Sequence, residues 1–589
     1  MAIPITFYEK ELGKHQKEAK RNKGLIFQLG MLRLGIFILA AIGIYFTQDK
    51  PEIALIIAVA AIALFLFLIK KHANLKSQKL LSEALAKINE EEIQITSGKF
   101  HHRTDGIKFQ NPQHHYAVDI DLFGRASFYQ YINRTETSEG SQALADELLA
   151  NNIVEIENRQ ESIQELAKNP EWRQRFLATA RLIEVETNTE EIAAWLKNYR
   201  AFIPKGIKWL PLVFSILSLG VIVLYSMSYI PEWGIILWLA LGLGITAKFK
   251  KKTDILGQKI DRAKDTIRQH ASLLEQIEGI EFSTECLKLK QSKIELEGLK
   301  ASAIFKDLSK RIDAFDHRKN IISAVVSNGF MLYDIKQTLK IEDWIEVYSS
   351  KVDEWFKVIA FFDAYNSLGN YAFNHPQYIY PTIEKEKKGI RTKNLGHPLL
   401  NPNKRIDNDL KIDAQEFFII TGANMAGKST FLRTVSLHIV MANIGLPICA
   451  EECNYHPIKL ITSMRTIDSL SDDSSYFFAE LSRLKFIREE IKKDSYFIIL
   501  DEILKGTNST DKAIGSRKFV EKLVAFKATG IIATHDLSLC EIAKELVEVK
   551  NFYFDAEIES NELHFDYTLK DGICKNMNAS FLLKKMEII

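Results

Sequence analysis

The spacing of apolar residues changes character along this chain. Near the N-terminus they run together. Ile53 to Ile69 is seventeen apolar residues without a break, and Leu25 to Phe46 is interrupted only by Gln28 and Arg33. Two more such runs follow, Trp209 to Ile230 and Trp233 to Ala247. A bilayer core about 30 Å thick takes roughly 17–25 apolar helical residues, so the four runs predict helices of about that reach. The links "TQDKPE" (Thr47 to Glu52) and "PE" (Pro231, Glu232) are short. The runs therefore predict two helical hairpins.

Elsewhere the apolar residues are spaced. Ser141 to Ile183 has helical periodicity with one polar face. Lys250 to about Pro381 predicts long amphipathic helices throughout, including "SKIELEGLKASAIFKDLSKRIDAF". Asp343 to Phe373 carries aromatics at helical spacing, with Trp344 and Trp355 as expected core anchors. "HHYAVDIDLFG" (His114 to Gly124) alternates and reads as a strand. From about Glu386 the pattern becomes that of an α/β domain. "EFFIITGANMAGKSTFLRTVSLHIV" (Glu416 to Val440) reads as strand, loop and helix; "YFIILDEI" and "GIIATHD" read as further buried strands.

Charge gives the hairpins an orientation. Lys10, Lys14, Lys17, Lys20, Arg21 and Lys23 precede the first run, and Lys70 and Lys71 follow the second. Lys205 and Lys208 precede the third, and Lys248 and Lys250 to Lys252 follow the fourth; the links hold only Lys50. Basic residues stay cytoplasmic. The expectation is a multi-pass protein of the inner membrane with every large segment in the cytoplasm. A net charge of +2 neither demands nor excludes nucleic acid. Five scattered cysteines suit reduced thiols, and no cleavable signal peptide is evident. Paired histidines (101, 102, 114, 115) alternate faces in a strand, and Cys449, Cys453 and His456 lack an apparent fourth ligand, so no metal centre is expected at either place.

The loop fits G-x-x-x-x-G-K-[ST] through Gly422, Gly427, Lys428 and Ser429. With Ala423, Asn424, Met425, Ala426 and Thr430 it predicts a cradle for ATP phosphates. Backbone N–H groups and a helix N-terminus face the anion. Lys428 is expected on the β- and γ-phosphates, and Ser429 with Asp501 on Mg²⁺. Glu502 is the expected water-activating carboxylate, and His535, at a strand's carboxyl end, the expected γ-phosphate sensor.

"TGANMAGKSTFLRTV", "SSYFFAELSRL" (Ser474 to Leu484), "LDEILKGTNSTD" (Leu500 to Asp511) and "ATHD" together resemble the ATPase domain of the MutS mismatch-repair family, a branch of the ABC-type ATPases. "GHPLL" (Gly396 to Leu400) resembles the motif leading into that domain. Upstream, "YAVDIDLFGRASFYQYINRTETSEGSQALADELL", "IENRQESIQELA" and "AFDHRKNIISAV" resemble the family's core and lever helices.

The resemblance implies an α/β P-loop (ABC-type) ATPase at the C-terminus, preceded by an all-α core and lever region that two transmembrane hairpins interrupt. The expected divisions are a basic segment (1–24), hairpin 1 (25–70), core (71–207), hairpin 2 (208–249), second core and lever region (250–385) and ATPase (386–589). Ser475, in S-x-F-x-x-E with Phe477 and Glu480, stands where the family's signature serine reaches the γ-phosphate of the opposite subunit. Asn508 and Ser509 fall in the loop that crosses the same interface. A homodimer with ATP and Mg²⁺ is implied, and duplex DNA as the family's partner. Phe7 to Glu9 has the letters of the family's mismatch-reading wedge but leads directly into hairpin 1. A second reading is a mechanochemical membrane ATPase acting on a membrane partner without DNA.

Overall fold

The computed structural model of the chain describes residues 4–183, 185, 187–423, 425–465, 476–559 and 562–575. The first two apolar runs lie within much longer helices. Pro4–Phe46 and Pro51–Thr96 pack side by side along their length. The polar residues from Pro4 and those after Ile69 thus continue the apolar helices without a break. Proline at the first position of Pro51–Thr96 starts the second helix after a tight link, because its fixed φ suits N1 and its missing N–H is not needed there. Leu210–Ser226 and Glu232–Ala247 form the second hairpin.

Apolar side chains on these helices face outward. Only 6% of the most apolar window is buried in each helix of the first hairpin, and 17% in Lys205–Ser226. By length and composition, three helices of the described residues suffice to cross a membrane. A fourth is added if Glu232–Ala247 and Lys250–Glu278 count as one span across their 64° bend.

The core gathers around one 42-residue helix, Tyr333–Asn374, here termed the spine. Trp344 and Trp355 are each 1% exposed, as their spacing predicts. Its buried Asp363 accepts hydrogen bonds from Thr137 N (2.8 Å) and Thr137 Oγ1 (2.7 Å), fixing the start of Ser138–Leu149. A Cβ on Gly140 would lie 2.2 Å from the Asp363 carboxylate, so only glycine permits this approach. Burial pushes the Asp363 carboxyl up to about 7.

Each hairpin grips one end of the spine. At its C-terminal end, Tyr8 Oη donates to Asn374 (2.7 Å), while Asn370 (3.0 Å) and Asn374 (3.1 Å) donate to Glu92 of the first hairpin. Arg134 pairs with the same carboxylate. Burial raises the Glu92 pKa, but Arg134 and the hydrogen bonds outweigh it and hold the carboxyl below its ordinary value. At the N-terminal end, Leu332, Ile335 and Leu339 pack with Ile203 and Phe214, and Trp238 stacks on Phe214 at 4.8 Å.

Two sequence expectations fail. His114 to Gly124 forms turns, not a strand. Its polar groups are used on the ATPase domain: His115 O accepts from Thr462 N (2.9 Å), and Asp119 accepts from Thr462 Oγ1 (2.5 Å) and Arg465 N (2.8 Å). The "SKIELEG" stretch is not helical throughout. Glu295–Leu296 pairs antiparallel with Leu299–Lys300. Glu297 (φ 51°) and Gly298 (φ 80°) supply the two positive-φ residues of such a turn, and helix resumes at Ala301–Asp316.

The C-terminal region holds a six-stranded sheet. Its spatial order is Leu569–Asp571, Val549–Phe554, Phe417–Gly422, Thr529–Ala533, Tyr496–Asp501 and Lys459–Ser463. Leu569–Asp571 runs antiparallel to its neighbour; the other pairings are parallel. A four-stranded sheet built on Gly389–Leu395 stands beside it.

Candidate nucleotide site

Phe417–Gly422 is buried at every position, as a central parallel strand requires. Beyond it the chain turns sharply into the helix Lys428–Asn443. Gly422 adopts φ 148°, and a Cβ there would meet Phe554 O at 2.6 Å. Gly427 adopts φ 104°. Both motif glycines thus occupy backbone that favours glycine. Met425 also has positive φ (69°) and is 76% exposed. Asn424 lies outside the described residues.

The strands carry the polar groups to one edge of the sheet. Lys428 Nζ donates to Gly422 O (2.7 Å) and Ala423 O (2.9 Å) and stands 3.3 Å from His535 Nε2. Ser429 Oγ donates to Asp501 Oδ2 at 2.7 Å. Glu502 Oε1 lies 3.5 Å from His535 Nε2, and Lys505 Nζ 3.7 Å from Glu502 Oε2. Glu502 has φ 50°, and its N–H bonds Ala533 O at 2.9 Å, so the neighbouring strand holds this residue in left-handed backbone.

Burial lowers the Lys428 pKa despite the nearby carboxylates. Burial and then the Lys428 charge lower that of His535, which favours neutral imidazole at neutral pH.

These groups border a cavity of about 770 Å³. Its lining also includes His397, Arg405, Phe554 and Tyr567. Burial holds His397 down at about 4, so it presents a neutral ring. Among the expected phosphate and metal groups, Lys428, Ser429, Asp501, Glu502 and His535 converge here. Thr430 also lines the cavity, while Ala426 is buried behind the loop. Sequence reasoning missed Lys505, His397, Arg405, Phe554 and Tyr567. The "GHPLL" motif signals His397; no local motif signals Tyr567, which folding brings beside Gly427.

Oxygen donors on Ser429 and Asp501 suit a hard cation, and the helix N-terminus with Lys428 suits phosphate. The residues present therefore fit Mg²⁺ and a nucleoside triphosphate.

Ser475 lies outside the described residues. The helix that follows, Tyr476–Glu490, is tied to the site. Glu480 accepts from Lys505 N (3.0 Å), and Phe477 packs against Gly506, where a Cβ would lie 2.9 Å away. Asn508 and Ser509 are exposed; Asn508 caps Ser509–Ala525 by accepting from Asp511 N at 2.8 Å. Cys453 is in a strand, and among the described residues no group of three or more His, Cys, Asp or Glu is arranged to hold a metal.

Loop, helix and strand-end carboxylates define a P-loop ATPase domain. The family model for MutS domain V matches residues 418–585, and the C-terminal region is accordingly a MutS-family ATPase domain. Similar proteins include "DNA mismatch repair protein MSH4" of Arabidopsis thaliana, 33% identical over 226 residues (38% of this chain, 28% of that protein). "MutS protein homolog 4" of Homo sapiens is 33% identical over 204 residues (33% and 21%). "DNA mismatch repair protein MutS" of Halalkalibacterium halodurans is 28% identical over 260 residues (43% and 29%). The chain thus covers less than a third of the length of each of these relatives.

Proposed function

We propose that this chain is a membrane-anchored MutS-type motor that binds and hydrolyses ATP as a homodimer and acts on duplex DNA beside the membrane. The observation that carries the chemistry is the convergence of Lys428, Ser429, Asp501, Glu502 and His535 on one cavity. Lys428 exchanges its loop carbonyls for phosphate oxygens when nucleotide enters. Ser429 and Asp501 would hold the cation, which would supply neutralisation of phosphate charge. Glu502 accepts a proton from the attacking water. Neutral His535 orients the γ-phosphate side of the site. Ser475 of one subunit completes the site of the other, with Asn508 and Ser509 at the same interface.

The outward apolar faces and cytoplasmic lysines support placing the hairpins in the lipid. The names of the relatives support DNA as the partner. One observation favours the second reading, in which the motor works on a membrane partner. The spine is gripped at both ends by hairpins, so a tilt of the spine would move them.

The test is phosphate release by the protein in lipid nanodiscs, together with DNA titration at several salt concentrations. The DNA reading expects saturable binding that weakens steeply with salt; no binding at low salt, with or without ATP, favours the membrane-partner reading. Chains carrying Ser475→Arg and Lys428→Ala, each inactive alone, are expected to regain activity when mixed. No recovery overturns the shared site.

A further inference from the structure

One apolar element belongs to neither hairpin. The helix Ile321–Met331 ("IISAVVSNGFM") spans 11 residues, which is about 16 Å at helical rise and too short to cross a lipid core. It packs across both helices of the second hairpin. The crossing is close: a Cβ on Gly242 would stand 2.3 Å from Gly329 O, and one on Gly329 would stand 2.8 Å from Leu239 Cγ. Small residues at this point let two helix backbones touch.

The opposite face is open. Ile321 is 80% exposed, Ile322 77%, Val326 52% and Val325 40%. Positions i, i+1, i+4 and i+5 fall on one side of a helix, so these four make a continuous aliphatic patch. The patch adjoins the outward apolar surface of the second hairpin. The chain just before it is held beside exposed Lys248, Lys250, Lys251 and Lys252, because Arg318 donates to Thr253 O (3.1 Å) and pairs with Asp254. An apolar face beside lysines fits the boundary between anionic headgroups and acyl chains.

We infer that Ile321–Met331 is an interfacial membrane helix, lying in the cytoplasmic leaflet with Ile321, Ile322, Val325 and Val326 among acyl chains. This rests on the membrane reading of the hairpins. Its consequence is mechanical. The helix joins the spine through the single residue Leu332, which is fully buried in left-handed backbone (φ 47°). Asn328 accepts from Asp334 N (2.8 Å) across that joint. The leaflet surface and the lever are therefore one residue apart.

The test places one nitroxide at a time at Ile322, at Leu217 of the second hairpin and at Val547 of the ATPase domain. The background is Cys286→Ser, since the other four cysteines are buried. The full chain is reconstituted in vesicles containing anionic lipid, and collision with oxygen is compared with collision with a water-soluble nickel chelate. The expected result is oxygen-dominated relaxation at Ile322 and Leu217 and nickel-dominated relaxation at Val547. Nickel access at Ile322 with oxygen at Leu217 overturns this inference alone. Nickel access at both overturns the membrane reading with it. Exclusion of both reagents from Ile322 shows a protein surface covering the patch and also overturns the inference.

Discussion

The central sheet and the first hairpin are equally rich in isoleucine and leucine, yet they meet opposite surroundings. Ile498 and Ile499, in the strand ending at Asp501, are fully buried. Ile56 and Ile62, in the hairpin, are 68% and 60% exposed. The strand buries both faces against helices, so its apolar run needs no other solvent. The apolar stretch of each hairpin helix is almost unburied, so its outer face is left to whatever surrounds it. Apolar content alone does not separate a core from an exposed apolar surface; the number of packed neighbours does.

The sharpest break in that comparison comes from the catalytic edge. Glu502→Gln keeps the shape of the site but removes its base, so phosphate release is expected to fall by about 10²–10⁴-fold with ATP still bound. Normal turnover would remove Glu502 from its assigned role. Next, the same truncation is made in both regions. Ile499→Ala is expected to cost about 2–5 kcal/mol through transfer and cavity terms. Ile62→Ala, with no packed shell to vacate, should stay within about 0.5 kcal/mol. Denaturant unfolding in detergent, followed at the ATPase domain and at the hairpin, measures both. Comparable costs would show that the hairpin is packed against something.

Gly242→Leu tests the contact between the second hairpin and Ile321–Met331. It forces a side chain into the Gly329 backbone, and overpacking of this kind costs about 1–3 kcal/mol. Thermal unfolding should register it in the second hairpin before the ATPase domain. A pH slope completes the set. Burial holds His438 down at about 3 and His375 at about 4, against an ordinary 6.5. Between pH 6.5 and 4 the unfolded chain therefore binds more protons at these sites. Stability falls as pH falls through that window, by roughly 1.4 kcal/mol per pH unit for each histidine once the unfolded form is protonated. Titrated unfolding of His438→Gln and His375→Gln should show a shallower slope.

Legibility followed the range of the constraint. Gly422, Gly427, Lys428 and Ser429 are read from one stretch because a phosphate loop is a local object with fixed spacing. Asp501 and His535 are read from the apolar strands that precede them. His397 stands in the "GHPLL" motif, but Tyr567 reaches the same cavity from a distant part of the chain, and no local motif announces it. The stretch before the spine was legible as helical, within Lys250 to Pro381, but its packing was not: Ile321–Met331 crosses the second hairpin where Gly242 and Gly329 allow contact. His114 to Gly124 alternates like a strand, yet its polar groups bond the ATPase domain and leave turns.

The chain's own order of residues determined the phosphate loop, the carboxylates at a strand end, the existence of four apolar helical runs and the burial of Trp344 and Trp355. These depend on periodicity and on contacts near in sequence. Tertiary structure alone decided that the apolar hairpin helices and their polar extensions are continuous, that one helix links both hairpins, and which residues close the nucleotide cavity. Those features arise where segments hundreds of residues apart satisfy each other's polar groups, as Tyr8 does with Asn374, and nothing local in either segment encodes its partner.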